Sequence, residues 1–301
     1  MIELGRYNGG KGNVFRQIIN EMPPHKTYVE AFVGGGSVAL NKLPAQRNIL
    51  IDKDPEVIET WLSHLATNDA AAATSQMTMR YPLVTNGDNL DDLANFNDAA
   101  PSSNLTMPAV TAIPSDSTRA TIVKNDDASG HIVTFDDDTR YELYCADALQ
   151  LLPHLGLGHD ALVYADPPYL LSTRTEKRPL YRYEMGEEWE HEMMIGAFDK
   201  LPCKIMISGY WSGLYAGLMK DGWRNFDYTA YDRQNRPRQE YVWCNFPEPS
   251  RLHDYTFIGD NFRERERIKR KAARWVGRFE NLPALERRAI LEQLDAAGVL
   301  D

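Results

Sequence analysis

Two rhythms of apolar and polar positions run along this chain. Short apolar runs closed by turn residues fall at 27–32, 48–52, 161–165 and 204–208. Runs apolar on both faces suit strands inside a parallel sheet. Residues 131–135 and 140–145, parted by an Asp-rich turn, predict a hairpin. Residues 223–231 and 240–246 predict a further antiparallel pair. The second rhythm is helical. A helix is expected over about 13–21, with Val14, Phe15, Ile18 and Ile19 on one face and Pro23-Pro24 ending it. Others are expected from Val38, over 55–66 with Asp54 as N-cap and Pro55 at the first position, after Asp147 to about Leu155, and near 188–200. A long helix is expected from about Phe262, with Ile268, Ala272, Trp275 and Phe279 as its apolar stripe. Another runs from Pro283 to about Ala297.

Residues 67–130 follow neither rhythm. They are rich in Asn, Asp, Ala, Ser, Thr and Pro, and read as an insertion or a small, loosely structured subdomain. Charge sharpens this division. Between 67 and 140 there are 11 acidic residues against 4 basic ones, whereas 263–278 carries 8 basic and 2 acidic side chains. The 301 residues are 43% hydrophobic and 25% charged, enough for a sizeable core. A net charge of -10 argues against indiscriminate coating of nucleic acid and leaves room for a local basic groove. No apolar run is long enough to cross a bilayer, and the first residues lack a secretion signal. Cys145, Cys203 and Cys244 are widely spaced and read as buried free thiols in a reducing cytoplasm, with no structural zinc.

Candidate chemistry concentrates where strands end. Gly5 to Gly12 imitates a P-loop, but Gly12 stands where a Ser or Thr would hold magnesium, and no apolar strand precedes it. Gly34-x-Gly36-x-x-Ala39 follows a strand and opens a helix, and Asp52 ends the next strand 18 residues after Gly34. Glycines let backbone approach a ligand, and the carboxylate suits two ribose hydroxyls. The unit predicts a nucleoside ligand, either a nicotinamide dinucleotide or S-adenosylmethionine. Asp147 is either the cap of its helix or an acceptor for an adenine amino group. Residues 161–165 run into Asp166-Pro167-Pro168-Tyr169, where two prolines must stop the strand. Beyond lie Arg174, Lys177, Arg178 and Arg182 among Tyr181, Tyr183 and Trp189, a mixture that suits phosphates and bases. The connector 232–238 adds Arg233, Arg236 and Arg238.

Taken in order, Tyr7-Asn-Gly-Gly-Lys11, Tyr28-Val-Glu-Ala-Phe-Val-Gly-Gly-Gly-Ser-Val38, Ile51-Asp-Lys-Asp54, Asp166-Pro-Pro-Tyr169, Ile207-Ser208 and Glu240-Tyr-Val-Trp243 resemble the motifs of Dam-type (D12 class) DNA adenine-N6 methyltransferases. The likeness covers roughly 1–65 and 140–247, and the basic tail is similar to that of phage and prophage members. Ala31 stands where Pro is common. The acidic character of 67–130 departs from relatives that read DNA sequence there. The resemblance implies an α/β fold: a Rossmann-like S-adenosylmethionine-dependent methyltransferase sheet with an inserted polar segment and a C-terminal helical tail. It implies a catalytic domain over 1–66 and 140–249, an insertion over 67–139 that is a possible target-recognition segment, and a basic tail over 250–301. It implies catalytic roles for Asp166, Pro167, Pro168 and Tyr169. Tyr7, Lys11, Glu30, Phe32, Gly34, Gly36, Asp52, Asp147 and Asp166 would hold S-adenosyl-L-methionine. Arg174, Lys177, Arg178, Arg182, Arg233, Arg236 and Arg238 would face DNA. The expected partner is double-stranded DNA, without metal or membrane, in the cytoplasm of a bacterium or phage-infected host. Oligomeric state stays open, with a monomer favoured. A nicotinamide dehydrogenase and a DNA-binding module with a vestigial cofactor site are the alternatives.

Overall fold

The protein is described by a computed structural model covering residues 4, 11–12, 14–67, 121–125, 130–135, 138–175, 178–231 and 236–298. These residues fall into two units. The first lies within 1–73 and 118–259, and the second includes 260–298.

The first unit is built on β1 (Thr27–Glu30), β2 (Arg47–Asp52), β3 (Thr121–Asn125), β4 (Gly130–Thr134), β5 (Arg140–Cys145), β6 (Ala161–Ala165), β7 (Lys204–Gly209), β8 (Arg224–Tyr231) and β9 (Pro237–Cys244). They form one sheet in the order β3-β4-β5-β2-β1-β6-β7-β9-β8. The five central strands, from β5 across to β7, are parallel, and the pairs at both edges are antiparallel. The chain starts at β1, moves outward through β2 to β5, then returns to lay β6 on the other side of β1. This reversal is the switch point of a Rossmann-like sheet, and ligands bind outside the strand ends there. Glu30 pairs with Tyr164, so the glycine turn after β1 and Asp166 after β6 leave the sheet side by side.

All five residues of β6 are buried, as the apolar run requires. Ala161, Val163 and Ala165 face one layer with Met194 and Phe198 of the helix Glu188–Phe198. Leu162 and Tyr164 face the other, with Phe15, Ile18 and Ile19 of the helix Phe15–Ile19. Each fully buried aliphatic or Phe side chain contributes about 1.5–3 kcal/mol. A third cluster sets Trp61 of the helix Pro55–Thr67 against Leu50 and Leu143.

Several boundaries differ from expectation. The first helix spans five residues, and Asn13 lies outside the described residues. The strand expected over 27–32 stops at Glu30 because Ala31 and Phe32 already belong to the turn. The last strand begins at Pro237, not Glu240, so Arg238 belongs to β9 opposite Ala230 and the connector is shorter. Proline is tolerated there as the first residue of the strand. A strand at Thr121–Asn125 lies in the segment read as loosely structured. The helix Gly213–Leu218 was not expected, because two glycines lower its propensity. Ser212 caps it by accepting from Tyr215 N at 3.3 Å. Cys203 and Cys244 are buried free thiols, whereas Cys145 is only half-buried.

In the second unit, the helix Phe262–Glu280 is capped by Asn261 and followed by the helix Ala284–Ala296. Neither has a buried residue, so the stripe of Trp275 and its neighbours is not packed away. No helix among the described residues is long and apolar enough to cross a membrane.

Candidate active site

A glycine turn builds one wall. Gly34 and Gly36 take φ of 45° and 54°, the left-handed region. A Cβ on Gly36 would lie 2.1 Å from the Trp61 ring, so side chain and backbone both demand glycine here. Trp61 Nε1 donates to Gly34 O at 3.0 Å. Asp52 accepts from Gly34 N through Oδ2 and from Asp54 N through Oδ1, each at 2.9 Å. A third backbone N–H, that of Lys53, also bonds this carboxylate, which keeps an acceptor site for a ligand hydroxyl. Burial raises the Asp52 pKa, opposed by those N–H donors. Glu30 lies beneath the turn and accepts from Tyr28 OH at 2.7 Å and Ala39 N at 3.0 Å. Burial pushes its carboxyl up to about 8.

Asp147 caps its helix and also lines the cavity. It accepts from Leu149 N at 2.9 Å at the head of the short helix Ala148–Leu151. Its other oxygen pairs with Lys53 at 2.8 Å.

The opposite wall is the stretch after β6. Asp166 Oδ1 and Oδ2 accept from Lys11 Nζ at 2.7 and 2.6 Å. Tyr169 OH lies 3.0 Å from Asp166 Oδ1 and 2.9 Å from Glu240 Oε2, and accepts from Lys11 at 2.9 Å. Glu240 Oε2 also accepts from Tyr228 OH at 3.2 Å and stands 3.4 Å from the Lys11 ammonium. Burial opposes the Lys11 charge, but Asp166 and Glu240 outweigh it and raise the lysine pKa well above its ordinary value. The Tyr169 ring meets Tyr210 edge-on at 4.8 Å.

Both walls border one cavity of about 1070 Å³. Lys11, Glu30, Phe32, Gly34, Gly36, Asp52, Asp147 and Asp166 through Tyr169 all line it, as do Arg174, Arg178, Arg236 and Arg238. Arg182 is not among the lining residues. It reaches Asp54 at 3.1 Å and is half exposed. Arg174 is buried and forks onto Glu184 at 3.1 and 2.8 Å, bracing the loop that follows Tyr169. Tyr7, Lys177 and Arg233 lie outside the described residues. Glu240 and Tyr228 carried no assigned role from the sequence. The one signal was an acidic residue opening the otherwise apolar Glu240-Tyr-Val-Trp243.

An elongated, polar-ended nucleoside fits this arrangement. The glycine turn gives close backbone approach, Asp52 offers acceptors, and the cavity continues to Asp166.

No curated protein matches the chain in sequence. Among solved structures, the chain is similar to a precorrin 8W decarboxylase from Methanobacterium thermoautotrophicum at 12% identity and TM-score 0.38, over 82% of this chain and 97% of that one. It is also similar to a putative methyltransferase from Streptococcus mutans in complex with SAH, at 8% identity and TM-score 0.36, over 76% and 94%. TrmK from M. capricolum, in complex with S-adenosyl-homocysteine, gives 5% identity and TM-score 0.36 over 93% of each chain. At such identities and scores these likenesses carry no argument about activity. The family comparison does: residues 7–95, which hold Lys11, the glycine turn and Asp52, match D12 class N6 adenine-specific DNA methyltransferase, and by that likeness the chain is a methyltransferase whose methyl donor is S-adenosylmethionine.

Proposed function

We propose that the protein transfers a methyl group from S-adenosylmethionine to N6 of an adenine turned out of double-stranded DNA. The observation that carries this reading is the meeting of Asp166 and the glycine turn at one switch point, inside one cavity. Asp52 takes the two ribose hydroxyls of the cofactor, and Gly34 and Gly36 admit its methionine end. Glu30 and Phe32 back the turn, and Asp147 stands toward the adenine end. Lys11 flanks the site from the N-terminal side, and Tyr7 would bind the cofactor with it. S-adenosylmethionine, when bound, supplies a methyl group on a sulfonium that carries its own leaving group.

The chain's residues handle the nucleophile. Adenine N6 is a poor nucleophile because its lone pair is delocalised into the ring. Asp166 Oδ1 is already occupied by Lys11 and Tyr169, while Oδ2 keeps one acceptor site for an N–H of the base. With the Pro167 carbonyl as second acceptor, charge that develops on nitrogen is stabilised by groups already in place. Pro168 holds the turn rigid. The Tyr169 ring offers a face for the base, offsetting the few kcal/mol lost on unstacking. Arg178, Arg236 and Arg238 at the cavity, with Arg182, Lys177 and Arg233 nearby in sequence, engage phosphates. Arg174 acts through the loop it braces. The domain limits follow as proposals: catalysis within 1–66 and 140–249, with 67–139 and 250–301 appended.

The test is methylation of plasmid DNA with isotope-labelled S-adenosylmethionine, followed by nucleoside mass spectrometry. N6-methyladenine is expected. Asp166→Ala should lower the rate by about 10²–10³-fold, the scale of losing one charge-stabilising group. Cofactor binding with label in no nucleoside sinks the reading.

A further inference from the structure

Methylation leaves the amino nitrogen with one proton too many, and the fold offers somewhere to put it. Tyr169 OH sits between two carboxylate oxygens, at 3.0 Å from Asp166 and 2.9 Å from Glu240, with a single proton for both contacts. Lys11 donates to the same hydroxyl oxygen at 2.9 Å, which leaves that oxygen one lone pair to take a proton from Asp166. Two carboxylates, one ammonium and the hydroxyls of Tyr169 and Tyr228 thus form a cluster with one negative charge in excess. Such a cluster has room for one more proton. Glu240 is 8% exposed and stands at the far end of this hydrogen-bonded chain from the reacting atoms.

We propose that Glu240 receives, through the Tyr169 hydroxyl, the proton that adenine N6 loses on methylation. This rests on the function proposed above. The steps balance. The N6 lone pair forms the bond to the methyl carbon as the carbon–sulfur bond breaks, its pair staying on sulfur. An N6–H bond then breaks, its pair returning to nitrogen, and the proton passes to Asp166. That proton lands on Asp166 Oδ2, and a turn of the carboxyl group about its Cβ–Cγ bond brings it to the side that faces Tyr169; Tyr169 then accepts it as it passes its own to Glu240, and water later takes the proton from Glu240. Lys11, Asp166, Tyr169 and Tyr228 face Glu240. Tyr164, paired with Ser208 at 2.9 Å, and Tyr210, against Tyr169, adjoin the same cluster, and Arg238 lies two residues along β9. Glu240 lines the same cavity and acts here through its contact with Tyr169, so it is a positioning residue in this scheme.

Glu240→Gln keeps the shape and removes the proton-accepting charge. In single-turnover methylation of a preformed complex with DNA, its rate should fall about 10²-fold, the lower end for proton-transfer assistance. The acid limb of the rate–pH profile should flatten, and the solvent deuterium effect should change. KM for DNA and for S-adenosylmethionine should not. Glu240→Asp should restore part of the rate and the acid limb. Acid titration of the ligand-free protein, followed by infrared absorption of protonated carboxyls, should lose one band in Glu240→Gln. A wild-type rate, or a slower rate with pH profile and isotope effect unchanged, overturns the relay. A wild-type protein that makes no N6-methyladenine overturns the proposed function instead, and the infrared titration still reports on the cluster.

Discussion

At the scale of single residues, the charge of Lys11 decides the most. Its ammonium is 5% exposed and held by both oxygens of Asp166. Removing one partner of a buried pair leaves the other uncompensated, which costs about 3–5 kcal/mol. Asp166 keeps some contact with solvent at 18% exposure, so the lower end applies. Lys11→Met should therefore lower stability by about 3 kcal/mol in denaturant unfolding. Adding Asp166→Asn should recover part of that loss, and strict additivity of the two would argue against the pair. Glu30 gives a pH prediction. Its folded pKa of about 8 exceeds the ordinary value of 4.5, so the folded protein binds the extra proton between these limits. This contribution to stability is complete below about 4.5 and is lost as pH rises through about 8. Glu30→Gln should flatten that fall in Tm measured across the window. Parallel curves for wild type and variant would refute the assignment.

At the scale of elements, the glycine turn shows why a strand, a turn and a helix must be read together. The spacing of Gly34 and Gly36 was visible in the sequence, but the reason for the second glycine was not. Trp61 fills the space where its Cβ would stand, from a helix 25 residues further on. Gly36→Ala should destabilise by at least about 1–3 kcal/mol from backbone strain alone. Pairing it with Trp61→Leu should relieve the steric part and leave the strain. S-adenosylmethionine binding by calorimetry should weaken in both, and full recovery in the double variant would show that strain is unimportant. The loop after Tyr169 teaches a different lesson. A run of Arg, Lys and Tyr reads as a face for phosphate, yet Arg174 is held by Glu184 ten residues away. Arg174→Ala should speed proteolysis of 170–186 before it changes DNA affinity; the reverse order would return Arg174 to the DNA contacts.

At the scale of the whole molecule, a net charge of -10 coexists with strong local patches of positive charge. DNA affinity should fall steeply with salt, because each phosphate contact releases counterions. Replacing Arg178, Arg236 and Arg238 with Gln should reduce the slope of log K against log salt by up to about 0.9 for each phosphate no longer neutralised. An unchanged slope would move the phosphate contacts elsewhere. The sequence by itself determined β1, β2, β6 and β7, because short apolar runs closed by Gly, Pro or Asp suit buried strands. It also singled out Gly34, Asp52 and Asp166, each standing where a run stops, and all three line the one cavity. Tertiary structure alone decided that Lys11, Asp166 and Glu240, 155 and then 74 positions apart, meet within 3.4 Å. It decided that Arg174 turns inward and that Asp147 caps a helix. Periodicity reports which face of an element is buried; it carries no information about which distant side chain a buried charge will find. That pairing depends on strand order, and strand order on β6 returning beside β1.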